Sequence, residues 1–212
     1  MGKNVEEIIK NMPLFSKQNI AIYFKGKINT LNAQIKYAFK TGSILKLKNG
    51  LYMSNDFYVR SKDKDGLREY VASQLKSPSY LSKEYVMQKY NLLTEAIYGI
   101  TSVTLKTRKQ YQNFLGSFIY YSIKKDFYFG YSEKRYLSNV YFEANKSKAV
   151  FDYLYLKKNI SNKLKQEILE DLRINWENFS KDDFNLFYDY CLQSKSKKMK
   201  RIASILKKSI YK

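Results

Sequence analysis

Histidine is absent from the 212 residues, and cysteine occurs once, at Cys191. The first absence removes the usual neutral-pH general base and the commonest nitrogen ligand of transition metals. With a single cysteine, no internal disulfide forms and a structural zinc site has almost nothing to be built from. Acidic residues are also scarce: nineteen Asp and Glu face thirty-nine Lys and Arg, a formal net charge of +20. Long apolar runs are missing as well, and a bilayer span takes about 18 residues or more. Residues Met1 to Lys10 include Glu6 and Glu7 and hold no extended apolar stretch, so no signal peptide is expected. These absences together lead to the expectation of a cytoplasmic chain with no membrane contact and no cofactor.

What is present is apolar and basic. The chain is 44% hydrophobic and 17% aromatic with two prolines, enough to build packed cores. An excess of lysine favours polyanionic partners, because neutralising phosphates releases condensed counterions. A general Lys, Asn, Ile and Tyr bias produces the same excess without any selection for binding. Pattern therefore carries more weight than charge.

Val5, Ile8, Ile9 and Met12 fall at helical spacing, and Pro13 limits that helix. Ser16 is placed to cap a second helix over Lys17 to Phe24, with Ile20 and Phe24 on one side. Gly26 and Asn29 read as a turn, and Thr30 as the cap of a third helix from Leu31 to Lys40 that Gly42 ends. Leu31, Ile35, Ala38 and Phe39 form its expected apolar stripe. Asn32, Lys36, Tyr37 and Lys40 take the opposite face with Ala33 and Gln34 alongside, the small and amide-bearing edge that suits a major groove. Leu45 and Leu47 then alternate with Lys46 and Lys48 as in a half-buried strand, and Asn49-Gly50 is a type I′ hairpin signal before Leu51 to Met53. Three helices and a lysine-bearing hairpin predict a winged helix over residues 1–60, with Lys46 and Lys48 on phosphates. The candidate DNA-binding residues are Thr30, Asn32, Ala33, Gln34, Lys36, Tyr37, Lys40, Lys46, Lys48 and Asn49.

Residues 62–66 read as a junction, followed by an α+β region over 67–212 whose carboxy-terminal part is helical. Leu67, Tyr70, Val71 and Leu75 share one helical face, and a second helix is expected over Ser82 to Tyr90. Strands are expected at Tyr98 to Leu105, Phe118 to Ile123, Phe127 to Gly130 and Val140 to Phe142. Helices follow at Lys146 to Leu156, along the Leu164, Ile168, Leu169 and Leu172 stripe, and after a Ser180–Asp183 capping box. Cys191 falls in an apolar stripe and reads as a packed thiol. Lys195 to Lys212 holds eight basic residues and no acidic one, a basic amphipathic helix that suits phosphates, an acidic partner or plain solvent.

An enzyme is not expected. Gly116-Ser117 is followed by Asp126, but the alternate position holds Tyr128 and not the second carboxylate that metal-assisted nucleotidyl transfer needs. No phosphate-cradling glycine loop occurs. The alternative to DNA binding is a non-enzymatic interaction protein whose basic surface takes an acidic protein or RNA.

Several segments, in this order, resemble the AbiEi family of antitoxins and transcriptional regulators of bacterial type IV toxin–antitoxin phage-defence systems. They are AQIKYAFKTGSILKLKNGLYM, with Gly42 to Tyr52 closest to the family pattern, SYLSKEYVMQKYNLL at Ser79 to Leu93, and ITSVTLKTRK at Ile100 to Lys109. LGSFIYYSIKKDFYFGY at Leu115 to Tyr131 and EANKSKAVFDYLYL at Glu143 to Leu156 complete the span, roughly residues 13–156. Where the family has an arginine in the wing, this chain has Lys46 or Lys48, which keeps charge and loses the bidentate fork. The resemblance implies a repressor that binds an inverted repeat in the promoter of its own operon. It also implies that the second region counteracts a nucleotidyltransferase-fold toxin, without requiring a stable complex with it.

Overall fold

The computed structural model describes residues 5–10, 12–24, 26–95, 97–158 and 163–211, and for Glu6 the backbone alone. Lys212, last of the terminal basic residues, lies outside the described set. The chain divides into two compact units, Met1–Arg68 with Tyr111–Gly116, and Glu69–Gln110 with Ser117–Lys212.

The first unit is a winged helix. Helices α1 (Val5–Ile9), α2 (Lys17–Tyr23) and α3 (Ile28–Lys40) precede the hairpin β1 (Ile44–Lys48) and β2 (Leu51–Ser54), and α4 (Asn55–Arg60) follows. Ser16 caps α2 as expected, in a reciprocal box with Asn19 that satisfies two backbone donors. Val5, Ile9, Phe15, Ile20, Leu31, Ile35, Ala38 and Ile44 form one core, with Ile8, Met12, Phe24 and Tyr52 packed on it. Each large apolar side chain so buried contributes about 1.5–3 kcal/mol. Phe15 and Tyr52 exchange two backbone hydrogen bonds, 3.0 and 2.9 Å, and their rings stack with centroids 6.1 Å apart. That bridge ties the wing to the segment leading into α2.

Four local expectations need correction. Helix α3 starts a turn early: the Leu31 N–H bonds the Lys27 carbonyl at 3.2 Å, so Asn29 and Thr30 are helical and Thr30 caps nothing. Lys27, a poor capping residue, stands at the N-cap with no side-chain bond, which hides this boundary from a reading based on caps. Phe39 is 52% exposed and lies outside the stripe formed by Leu31, Ile35 and Ala38. In the wing, Lys46 pairs with Tyr52 and Lys48 with Leu51, leaving Leu47 as an extra, bulged residue. Ile44 and Leu47 are therefore the buried positions of β1, and strict alternation fails. Only Gly50 of the turn pair has a positive φ, 79°, so the turn is not type I′.

The second unit is α+β. Helix α5 (Lys64–Leu75) leads into it from the first unit, followed by β3 (Ser79–Leu81), α6 (Glu84–Lys89), β4 (Gly99–Thr104), β5 (Lys109–Asn113), of which residues 111–113 belong to the first unit, and β6 (Gly116–Ser122), of which Gly116 does. After these come β7 (Tyr131–Tyr136), β8 (Asn139–Ala144) and α7 (Lys146–Leu156). The six strands run in the order β5-β6-β4-β3-β8-β7. β4 with β6 and β3 with β8 are parallel, while β3 with β4 and β7 with β8 are antiparallel. Phe127–Gly130 is not a strand: a 3-10 turn covers Lys125–Phe127, and Gly130, at φ 75°, turns the chain into β7.

A helical end closes the unit, with α8 (Leu164–Gln166) running on as a π-helical turn over Glu167–Asp171, then α9 (Lys181–Gln193) and α10 (Lys197–Ser209). The Ser180–Asp183 box caps α9 as the sequence predicts. No helix among the described residues is long and apolar enough to cross a membrane.

Candidate nucleic-acid interface

At about 100° per residue, the buried positions Leu31, Ile35 and Ala38 fix which edge of α3 faces outward. Asn29, Ala33, Lys36 and Lys40 fall on the opposite crest, and all four are exposed. Asn32 and Tyr37 flank it on either side, Tyr37 with 65% of its surface accessible. Thr30 is exposed beside the crest as well. Packing of one face against the core thus holds a polar edge outward at fixed spacing.

Gln34 does not join that edge. It is half-buried, and its amide oxygen accepts the Val5 N–H at 3.2 Å. Its amide supports the seat of α1, which sets Gln34 apart from the outward edge on which the sequence pattern puts it.

The wing supplies charge on one side of the crest. Lys17, Asn32, Lys36 and Lys46 line one cleft together with Ile35, Phe39 and Tyr52. Lys46 faces Tyr52 across the hairpin, and Tyr52 packs on the core, which carries the strand up beside α3. Lys48 is elsewhere: after the Leu47 bulge its ammonium rests 6.0 Å from the centre of the Tyr111 ring. The two lysines therefore do not share one strand face. Asn49 is exposed at the hairpin tip. From the Tyr111–Gly116 segment of the first unit, Asn113 donates to the Leu47 carbonyl at 3.1 Å, pinning the bulge.

Electrostatics reinforce the geometry. Between Glu7 and Asp56 the chain carries eight lysines and no carboxylate. The amino terminus of α3 adds the partial positive charge of its unpaired N–H groups. Sequence reading missed Asn29, Lys17 and Phe39 at this site. By sequence pattern Asn29 reads as a turn residue, Lys17 as an ordinary helix start, and Phe39 as core.

In the second unit several charged groups are interior and bonded to one another. Lys148 and Asp152 form a fully buried i,i+4 pair, and Asp152 also accepts from Tyr80 at 2.9 Å and Ser82 at 2.8 Å. Burial pushes the Asp152 carboxyl up and the Lys148 ammonium down. Glu69 accepts from Tyr85, Lys89 and Tyr141 at 2.6, 2.8 and 2.5 Å. Burial would raise its carboxyl, but those bonds together outweigh it and hold Glu69 below the usual carboxylate range. Cys191 is buried, and burial pushes its thiol up, the opposite of nucleophilic activation. Among the described residues no group of three or more His, Cys, Asp or Glu side chains is placed to hold a metal. Helix α10 buries Met199, Ile202, Ala203 and Leu206, and Lys198 donates to the Tyr155 and Lys157 carbonyls at 2.8 and 3.0 Å. Part of its basic character thus fastens the helix to α7.

No protein-family model matches the chain, and no curated protein matches its sequence.

Proposed function

We propose that this protein is a sequence-specific binder of double-stranded DNA that represses transcription of its own toxin–antitoxin operon. The observation that carries the reading is the exposed polar crest of α3 beside Lys17 and Lys46, in a stretch of chain free of carboxylates. A helix of this size fits the major groove of B-form DNA, where its crest meets base edges. Lys17 and Lys46 meet the flanking phosphates, which fixes register without selecting sequence. RNA duplexes fit less well, because their major groove is deep and narrow.

The operator expected is an inverted repeat. The second unit acts as the antitoxin against a nucleotidyltransferase-fold toxin, a role that rests on the family resemblance of segments between residues 79 and 156. Neither role calls for catalysis by this chain or for a cofactor.

Footprinting of the full chain on the DNA upstream of its own gene tests the repressor role. Two protected half-sites of related sequence support it, and uniform protection or none contradicts it. Co-expression with the neighbouring gene tests the antitoxin role: restored growth supports it, and unrelieved toxicity overturns it.

A further inference from the structure

The α3 crest has a chemical bias that reaches beyond binding duplex DNA in general. Between Glu7 and Asp56 the chain holds neither a carboxylate nor an arginine. Each base pair presents its own edge in the major groove. Guanine offers two acceptors, best met by the arginine fork, and cytosine offers an N4 donor that a carboxylate accepts. This surface carries neither the arginine fork nor a carboxylate. Adenine offers a donor and an acceptor that an asparagine amide satisfies together, and thymine offers a methyl group that a small apolar side chain covers.

The residues present match the second pair. Asn29 and Asn32 are both exposed within the first turns of α3, and Ala33 lies on the crest next to them. Recognition helices touch base edges chiefly through their amino-terminal residues, which here are the amides and not the lysines. Lys36 and Lys40 follow one and two turns later. As point charges without a planar fork they suit phosphates better than a paired guanine contact. Phe39 lines the same cleft as Asn32, and Gln34 is held by Val5. The amide chemistry offered outward by this part of the helix is therefore that of the two asparagines.

We infer that the α3 crest selects A·T base pairs, Asn29 and Asn32 each pairing with the N6–H and N7 of adenine and Ala33 covering a thymine methyl. The inference rests on the DNA-binding reading above and deepens it, because it names the bases in the half-site core.

The test is a selection of duplexes from a random-sequence pool by the full chain, followed by fluorescence anisotropy on the enriched duplex. Two altered duplexes are compared with it: one with the enriched A·T pairs replaced by G·C, and one carrying 7-deazaadenine, which lacks only the major-groove N7. Enrichment of A·T half-sites, with roughly tenfold weaker binding to each altered duplex, is the expected result. Asn32→Ala should then lose about the share of one base contact in its A·T over G·C preference, Asn29 and Ala33 keeping the rest, while retaining salt-sensitive affinity for both duplexes. Because position 32 is exposed and alanine favours helix, that variant keeps its fold, which circular dichroism checks.

Enrichment of G·C half-sites, or equal salt-sensitive binding to A·T and G·C duplexes, overturns the A·T selection and leaves the DNA-binding reading standing. Unchanged affinity for the 7-deazaadenine duplex also overturns it, since the preference would then come from groove shape. Failure to bind any duplex at low salt overturns both readings.

Discussion

Lys46 and Lys48 sit two residues apart in one wing strand, yet Lys46 lines the cleft beside α3 while Lys48 rests over the Tyr111 ring. The bulge at Leu47 separates them. Lys46→Ala should therefore weaken binding to every duplex and make the salt dependence shallower by about 0.9 in log–log slope, the share of one phosphate. Lys48→Ala should change both quantities less. Anisotropy titrations across salt concentrations measure this, and equal losses for the two variants would contradict the assignment.

Gln34 separates stability from recognition. Removing its amide leaves the Val5 N–H without its partner, so Gln34→Ala should lower the stability of the first unit by about 1 kcal/mol. Base preference should stay unchanged. Denaturant melts and competition binding decide, and a shifted base preference would return Gln34 to the groove.

Acid sensitivity of the second unit should trace in part to Glu69. Its folded-state pKa lies below the unfolded value, so its stabilisation is present above the unfolded pKa and is lost as pH falls through the folded one. Asp152 works in the opposite direction, because burial raises its carboxyl. The difference between wild type and Glu69→Gln isolates the Glu69 part. Trp176, the sole tryptophan and buried in the second unit, reports it by fluorescence. Below about pH 4.5 wild type should lose stability faster than Glu69→Gln. Parallel pH curves would contradict the role of the Glu69 cluster.

The buried Lys148–Asp152 pair makes a sharper energetic prediction. Lys148→Met leaves a carboxylate buried without its cation and should cost about 3–5 kcal/mol. Adding Asp152→Asn, which removes the charge and keeps polar atoms for Tyr80 and Ser82, should recover part of that loss. Additive losses in the double variant would show that the pair is not coupled.

The sequence carried the first unit well because its signals are local. The stripe of Leu31, Ile35 and Ala38 stands out by period, and Ser16 and Ser180 cap where their side chains demand it. The bulge at Leu47 left no trace, because Leu45 and Leu47 are the same residue and alternation looks intact. The start of α3 was hidden for the converse reason: Asn29 and Thr30 are better caps than Lys27, and packing overrode them. Strands β5 and β7 were missed because their sequences, KQYQN and YSEKRY, are polar and both lie at the edges of the sheet. Phe127 to Gly130 misled in the opposite sense, since aromatic content signals a strand until Gly130 reverses the chain. Seating Asn113 against Leu47, 66 residues away in sequence, depends on tertiary structure that no local pattern encodes.

The most direct measurement is the affinity of the full chain for its upstream duplex as a function of salt, for wild type and for Lys17→Ala/Lys46→Ala. Wild type should bind at about 50 mM salt and weaken steeply by 200 mM, and the double variant should show a slope shallower by about 1.8. A wild type that ignores the duplex at low salt, or a double variant with an unchanged slope, would contradict the placement of DNA against α3 and the wing.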